Sequence, residues 1–276
     1  MVQEYSVLDI DILKVENVSL KFGDKQILRD INVTVKDVVR KVATTGQIVG
    51  FLGPSGRGKT QLFRILAGLN KPTTGTVLVH GKPVVAGDVG VVAQYYPLFM
   101  HRTVQSNLEL GAAKSKLSPK DKQDKIKMYL EKFKISDKAN MYPASLSGGQ
   151  RQRVAIIQQL LCSESFLLLD EPFSGLDINM IKEVSEVILE IANLDELNTV
   201  IIVSHDIPST VAIATQLWIL GYDYDEKGNA LSADGARIKY VEDLMAQGIS
   251  WQYPQVFELP EFHEVVKNIR NAFKTL

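Results

Sequence analysis

The sequence predicts an α/β fold with a mostly parallel core sheet, an N-terminal antiparallel β subdomain and an inserted helical subdomain. Short apolar runs of strand length alternate with segments in which apolar residues recur at the helical period. This alternation favours parallel strands connected by helices. The first 35 residues instead alternate apolar and polar side chains, as half-buried antiparallel strands do.

The N-terminal segment predicts two such strands. Apolar residues interleave with polar ones over residues 12–22 and again over residues 27–35. Charged residues interrupt the pattern in residues 37–45, which we therefore expect to form a loop or a hairpin insertion.

Apolar runs later in the chain predict the core sheet. Residues 48–52, 166–170 and 199–204 are dominated by aliphatic side chains, which is typical of strands buried on both faces. Shorter strands are predicted at residues 76–80 and 89–93. Helical spacing predicts helices over residues 149–162 and 178–194, and an amphipathic helix near the end of the chain.

From about Thr103 the apolar period becomes helical, and a mostly helical insert is expected over about residues 97–162. Ser118 followed by Pro119 is typical of the start of a helix. Four apolar residues then fall on one helical face: Ile126, Tyr129, Leu130 and Phe133.

Composition excludes several classes of protein. The 276 residues are 45 % hydrophobic and 23 % charged, which excludes a disordered or fibrous chain. The net charge of −1 gives no indication of a nucleic-acid partner. The single cysteine, Cys162, excludes an internal disulfide. No run approaches the roughly 18 apolar residues that span a bilayer, and the acidic first residues are unlike a signal peptide, so we expect a cytosolic chain.

Residues 53–60 fit the pattern G-x-x-x-x-G-K-[ST] of a phosphate-binding loop, or P-loop. Glycines let backbone N–H groups turn toward phosphate oxygens, and the next helix presents its positive end to the anion. Lys59 would contact the β- and γ-phosphates, and the Thr60 hydroxyl would bind Mg²⁺. The alternative is an ordinary glycine-rich turn between a strand and a helix. The loop consists of Gly53, Pro54, Ser55, Gly56, Arg57, Gly58, Lys59 and Thr60.

Asp170 and Glu171 follow the apolar run 166–169 directly. Open α/β sheets bind ligands at the carboxyl ends of their strands. Two adjacent acids at such a place need a cation nearby, so we expect Asp170 to bind Mg²⁺. Glu171 is then in place to orient or deprotonate an attacking water. The alternative is a pair of helix-capping acids, which the P-loop makes less favoured.

A second glycine-rich turn, Leu-Ser-Gly-Gly-Gln, occupies residues 146–150 and precedes an apolar helix. The Ser147 hydroxyl and the amides of Gly148 and Gly149 would form another anion-binding turn at a helix N-terminus. A chain with one P-loop does not need two turns for the same phosphates. Two chains that face each other head to tail would use both.

With these motifs the chain resembles the nucleotide-binding subunit of ABC (ATP-binding cassette) transporters over about residues 12–220. Gln94 matches the family's Q-loop, Asp177 lies in the match to its D-loop at residues 174–177, and His205 matches its switch histidine. Phe22 lies where the family has an aromatic residue that stacks on adenine. The resemblance therefore implies a P-loop NTPase of ABC type.

The resemblance also implies a mechanism. Two copies would enclose two ATP molecules, each between the P-loop of one chain and residues 147–150 of the other. Lys59, Glu171 and His205 would be catalytic. The residues implied to bind ATP are Phe22, the P-loop residues 53–60, Gln61, Gln94, Ser147, Gly148, Gly149, Gln150 and Asp177. Those implied to bind Mg²⁺ are Thr60, Gln94 and Asp170.

We therefore expect an ATP-hydrolysing motor subunit on the cytoplasmic face of the inner membrane, with an ATPase domain at residues 1–220 and a short extension at 221–276. Its partners would be a second copy, transmembrane permease subunits contacted by residues 95–102, and a substrate-binding protein, with no nucleic acid. The tail, including Trp251 and residues 260–264, is similar to nitrate-, sulfonate- or taurine-type importer ATPases. Import of a small anion or organic solute is the expected task.

Other functions stay open at this point. The chain could drive a lipid or drug exporter, or act as a soluble ABC ATPase on DNA or the ribosome. The latter proteins carry long coiled coils or two cassettes, and the sequence has neither. A P-loop kinase for small molecules leaves residues 146–150 unexplained. Arg57 and Gln61 depart from the family, which more often has small or hydroxyl residues there.

Overall fold

The computed structural model describes residues 4–41, 46–93, 97–163, 166–194, 198–225 and 230–276. It contains two sheets, one antiparallel with four strands and one mainly parallel with six. The predicted α/β fold is confirmed. Gln94 and the neighbouring residues 95–96 lie outside the described residues.

The antiparallel sheet is built on a long N-terminal hairpin. Strands β1 (Tyr5–Phe22) and β2 (Lys25–Arg40) pair along most of their length, and the sheet continues through β4 (Thr74–Val79) to β5 (Lys82–Pro83). The predicted loop at residues 37–45 is wrong for residues 37–40, which belong to β2. They find partners because β1 begins as early as Tyr5, which pairs with Arg40. Residues 42–45 lie outside the described residues.

The main sheet is formed by five largely buried strands and one edge strand whose residues are exposed or half-buried. Its strands are β3 (Gln47–Leu52), β6 (Gly90–Val92), β7 (Phe166–Asp170), β8 (Thr199–Ser204), β9 (Gln216–Gly221) and β10 (Arg237–Asp243). The order is β10-β9-β3-β8-β7-β6, and every pairing is parallel except that of β10 with β9. The carboxyl ends of β3, β7 and β8 therefore meet at one edge, where such sheets bind ligands.

Seven α-helices occur in the described residues. They are α1 (Lys59–Leu66), α2 (Val104–Gly111), α3 (Pro119–Lys132), α4 (Gly148–Cys162), α5 (Ile178–Ala192), α6 (Ile207–Ile213) and α7 (Pro260–Ala272). Helix α3 begins as the sequence predicts, because the Ser118 hydroxyl accepts a hydrogen bond from the Asp121 amide at 3.2 Å. None of the described helices combines the length and apolar character needed to cross a membrane.

The tail after residue 221 packs into the main core. It adds β10 to the large sheet, and α7 buries Phe262, Val265, Val266 and Ile269 in the hydrophobic cluster that also contains α5 and α6 side chains. The predicted amphipathic helix is therefore present. The domain boundary at residue 220 stays a prediction.

Asp223 fixes the start of this tail. Its carboxylate pairs with Arg29 of β2, with Arg237 at 2.9 Å and with Lys239 at 2.5 Å, the last two in β10. The hydrogen bond from Lys239 and those from Arg237 lower the pKa of Asp223 to about 2. The cluster thus ties the N-terminal sheet to the edge strand of the main sheet.

We expect Asp223→Asn to lower the free energy of unfolding by about 1–2 kcal/mol at neutral pH, because it removes the anion that accepts four hydrogen bonds from three charged side chains. The pKa of Asp223 is depressed in the folded state, from 3.8 to about 2. Its contribution is therefore present above pH 4 or so and lost as the pH falls through about 2. Urea unfolding across this range measures the difference. Asp234→Asn is the control, because Asp234 lies 3.8 Å from Arg29 and is half exposed; equal losses in both variants would contradict the assignment.

Candidate nucleotide-binding site

The P-loop connects β3 to α1, as predicted. Gly56 and Gly58 have φ angles of 78° and 90°, a left-handed conformation that favours glycine. A Cβ atom on Gly58 would lie 3.0 Å from Leu28 of β2, so the loop also approaches the N-terminal sheet closely. Gly58 caps α1, which begins at Lys59. The P-loop therefore leads directly into the N-terminus of α1.

Lys59 lies inside this loop. Its ammonium group donates hydrogen bonds to the carbonyl oxygens of Gly53 at 2.6 Å and Pro54 at 3.1 Å. The residue is only 9 % exposed, and burial lowers its pKa, while the nearby carboxylates of Glu171 and Asp170 act in the opposite direction. The centre of the loop thus holds a buried cation that donates hydrogen bonds to the loop's own carbonyls.

The loop opens into a cleft of about 420 Å³, and nine of the nineteen predicted site residues line it. Phe22 lies at this cleft with its ring half exposed. The residues that line it are Phe22, Ile27, Ser55, Gly56, Gly58, Lys59, Thr60, Gln61, Asp170, Glu171 and Val203. A larger cavity of about 590 Å³ lies elsewhere, between α3, α5 and Pro254, and none of the predicted site residues lines it.

The two acids of the cleft differ in their surroundings. Burial raises the pKa of Asp170, the adjacent Glu171 raises it further, and Lys59 opposes both effects. Glu171 has a φ of 50°, which is unusual for a residue with a side chain, and its amide donates to the Val203 carbonyl at 2.8 Å. Such backbone outliers often mark functional positions.

His205 holds the Glu171 carboxylate. Its ring Nδ1 lies 2.7 Å from Glu171 Oε2, and its backbone amide donates to the same oxygen at 3.3 Å. The contact arises because Glu171 follows β7 and His205 follows β8, which are neighbouring parallel strands. The pair fixes one carboxylate oxygen at the edge of the cleft.

The cleft offers oxygen ligands for a metal ion. The Thr60 hydroxyl and the Asp170 carboxylate both line it, and hard oxygen donors are the ligands that Mg²⁺ prefers. The described residues hold no group of three or more His, Cys, Asp or Glu that could bind a metal. Two protein oxygens fit Mg²⁺ when substrate phosphates and water complete its shell. Gln94, the third predicted ligand, lies outside the described residues.

The second glycine-rich turn is formed but lies away from the cleft. Ser147 caps α4: its hydroxyl accepts from the Gln150 amide at 3.3 Å, and the Gln150 side chain accepts from the Ser147 amide at 3.0 Å. Ser147 is exposed. None of residues 147–150 lines the cleft, so a single chain does not bring the two predicted turns together.

Asp177 and Arg57 also lie outside the lining of the cleft. The Asp177 carboxylate caps α5 through the amides of Asn179 and Met180, both at 2.9 Å. Arg57 turns to the ring of Tyr222, a residue that sequence reasoning missed. The only signal was the departure of Arg57 from the family pattern, which does not identify its partner.

Fold and site together define an α/β protein with a P-loop. The chain belongs to the ABC transporter family, whose sequence model matches residues 37–174. The resemblance drawn from the motifs is confirmed.

Relatives and solved structures agree with this assignment. The chain is 37 % identical over 208 residues to the sulfate/thiosulfate import ATP-binding protein CysA of Mesostigma viride, a match that covers 74 % of this chain and 57 % of that one. It is 35 % identical over 202 residues to the nitrate import ATP-binding protein NrtD of a Synechocystis species, covering 72 % and 73 %.

Among solved structures, cbiO1 of Clostridium perfringens, part of the ABC transporter complex cbiONQ, superimposes with a TM-score of 0.72. It has 25 % identity, with 97 % of this chain and 98 % of that one covered. The match to CysA spans little more than half of that relative's length.

Proposed function

We propose that this chain is an ATP-hydrolysing motor subunit of an ABC transporter that works as a head-to-tail dimer. The observation that carries the proposal is the division of the site. Most of the P-loop and both acids line one open cleft, whereas Ser147 is exposed and its turn, residues 147–150 (the Ser147 turn), lies outside the lining. A second copy in head-to-tail orientation would supply that turn.

The cleft can bind ATP through the charge of Lys59 and the backbone amides of the P-loop. Amides of residues 53–60 and the N-terminus of α1 would face the phosphates. Lys59 would exchange the Gly53 and Pro54 carbonyls for phosphate oxygens, which neutralise its charge better. Phe22 is exposed enough to stack on adenine, and Gln61 lines the cleft beside it. Asp177 of the second copy would complete the enclosure near α5.

Glu171 is the proposed general base. Its carboxylate lies in the cleft with one oxygen held by His205, which leaves the other oxygen free to orient and deprotonate a water. His205, being exposed, is also free to contact the γ-phosphate. Thr60, Asp170 and Gln94 would hold Mg²⁺, which when bound stabilises negative charge on the phosphates.

Closure and opening of the dimer would move permease subunits on the cytoplasmic face of the inner membrane. Phe99 and Met100 support this partner, because both side chains are about half exposed on the segment expected to contact it. The relatives' names, sulfate/thiosulfate import and nitrate import, support import of a small anion. A substrate-binding protein would be a further partner of such an importer. The membrane protein that co-purifies with the chain would distinguish an importer from a lipid or drug exporter.

Ser147→Arg tests the shared site. The larger, positively charged side chain would fill the turn and prevent the turn from approaching the nucleotide of a second chain. We expect ATP binding to a single chain to remain, while ATP-dependent dimerisation and turnover fall to background. Size-exclusion chromatography and phosphate release measure these outcomes.

Ser136→Arg is the matched control, an exposed serine in the same helical region, and it should behave as the unmodified protein. Full turnover by Ser147→Arg would contradict the shared-site proposal.

A further inference from the structure

Arg57 lies at the outer bend of the P-loop, between Gly56 and Gly58 with their left-handed backbone. Its guanidinium carbon lies 4.2 Å from the centre of the Tyr222 ring, within the range of a cation–π contact. The Arg57 Nε atom is buried and has no hydrogen-bond partner among the described residues. The contact with the Tyr222 ring therefore positions the Arg57 guanidinium.

The residues directly before and after Tyr222 both make contacts that hold this part of the chain in place. Gly221 packs so closely on Leu276 that an added Cβ would lie 2.5 Å from its side chain, and the Tyr222 amide donates to the Leu276 carbonyl at 3.4 Å. The next residue is Asp223, which pairs with three cations from β2 and β10. These contacts restrain the position of Tyr222 beside the glycine-rich loop.

A second contact, made by Lys59, stabilises the loop on the side that faces the cleft. Lys59 binds the carbonyls of Gly53 and Pro54 and so keeps the loop curled. ATP would draw Lys59 away from these carbonyls, so that the two hydrogen bonds are lost. Arg57 does not line the cleft, so its contact with Tyr222 can persist while phosphates are bound.

We infer that Arg57 and Tyr222 form an outer latch, which keeps the P-loop in its binding shape and couples it to the C-terminal segment. The inference rests on the proposed function and makes Arg57 a positioning residue for ATP. The latch acts on the shape of the loop and touches neither Glu171 nor His205. Its loss should therefore weaken ATP affinity while turnover of bound ATP is kept.

A double-mutant cycle tests the latch. We expect Arg57→Ala and Tyr222→Ala each to weaken ATP affinity by about three- to tenfold, and the double variant by no more than either alone. Tyr222→Phe keeps the ring and should keep the affinity. The value of kcat should stay within about twofold throughout. Tyr224→Ala is the control, an exposed tyrosine two residues further along the chain, and should bind ATP normally.

Hydrogen exchange without nucleotide provides an independent measurement. Amides of residues 55–60 should exchange faster in Arg57→Ala and Tyr222→Ala than in the unmodified protein, Tyr222→Phe or Tyr224→Ala. Unchanged exchange, or additive losses of affinity in the double variant, would overturn the latch. If the unmodified protein failed to bind ATP, the proposed function would fall, and the exchange data would still decide whether the latch exists.

Discussion

Lys59→Ala is expected to abolish tight MgATP binding and to reduce turnover by at least about 10²-fold. Lys59 is the one cation among the described residues that line the cleft, where it faces Asp170 and Glu171. Without it, the two carboxylates would repel the phosphates and the loop would lose its inner hydrogen bonds to Gly53 and Pro54. Titration with a fluorescent nucleotide and a phosphate-release assay measure both effects.

The control for this variant is Lys71→Ala, which removes an exposed lysine from the turn before β4. It should bind and hydrolyse ATP as the unmodified protein does. Unchanged hydrolysis by Lys59→Ala would refute the assignment of residues 53–60 as the phosphate site.

Glu171→Gln is expected to retain ATP binding, to lower turnover by roughly 10²–10⁴-fold, and to accumulate an ATP-bound dimer. Glutamine keeps the size of the side chain and can still accept hydrogen bonds from His205, but it cannot take a proton from water. Hydrolysis is what should allow the dimer to open, so its loss traps the closed form. Size-exclusion chromatography with light scattering detects the dimer.

Glu131→Gln serves as the control, because Glu131 is exposed on α3, where it pairs with Lys127 one helical turn away. It should remain as active as the unmodified protein. If Glu171→Gln hydrolysed ATP normally, Glu171 would not be the base.

Local sequence patterns predicted the parts of the molecule that local physics determines. The P-loop spacing and the apolar runs of β3, β7 and β8 identify a strand, a turn and a helix without knowledge of any distant partner. Asp170 and Glu171 followed from their place after such a run. The family resemblance added His205, and the parallel pairing of β7 with β8 then brought His205 to Glu171.

Features that depend on distant partners could not be predicted in this way. Residues 37–40 look like a charged loop, and they extend β2 because residues 5–7 pair with residues 38–40. The tail carries no motif that predicts its packing on α5 and α6. The contact of Arg57 with Tyr222 joins positions far apart in the chain, and nothing in the spacing of either residue indicates the other.

The central claim is that each nucleotide is enclosed by the P-loop of one chain and the Ser147 turn of another. A mixing experiment tests it, with Lys59→Ala and Ser147→Arg each combined with Glu171→Gln. In a head-to-tail pair of the two variants, one site combines Lys59→Ala with Ser147→Arg and is defective. The other site keeps Lys59 and Ser147 and can enclose ATP, which Glu171→Gln prevents from being hydrolysed. We therefore expect each variant alone to stay monomeric with ATP, and their mixture to form dimers that retain one ATP per pair of chains. A mixture that stays monomeric, or a Ser147→Arg chain that encloses ATP by itself, would contradict the account.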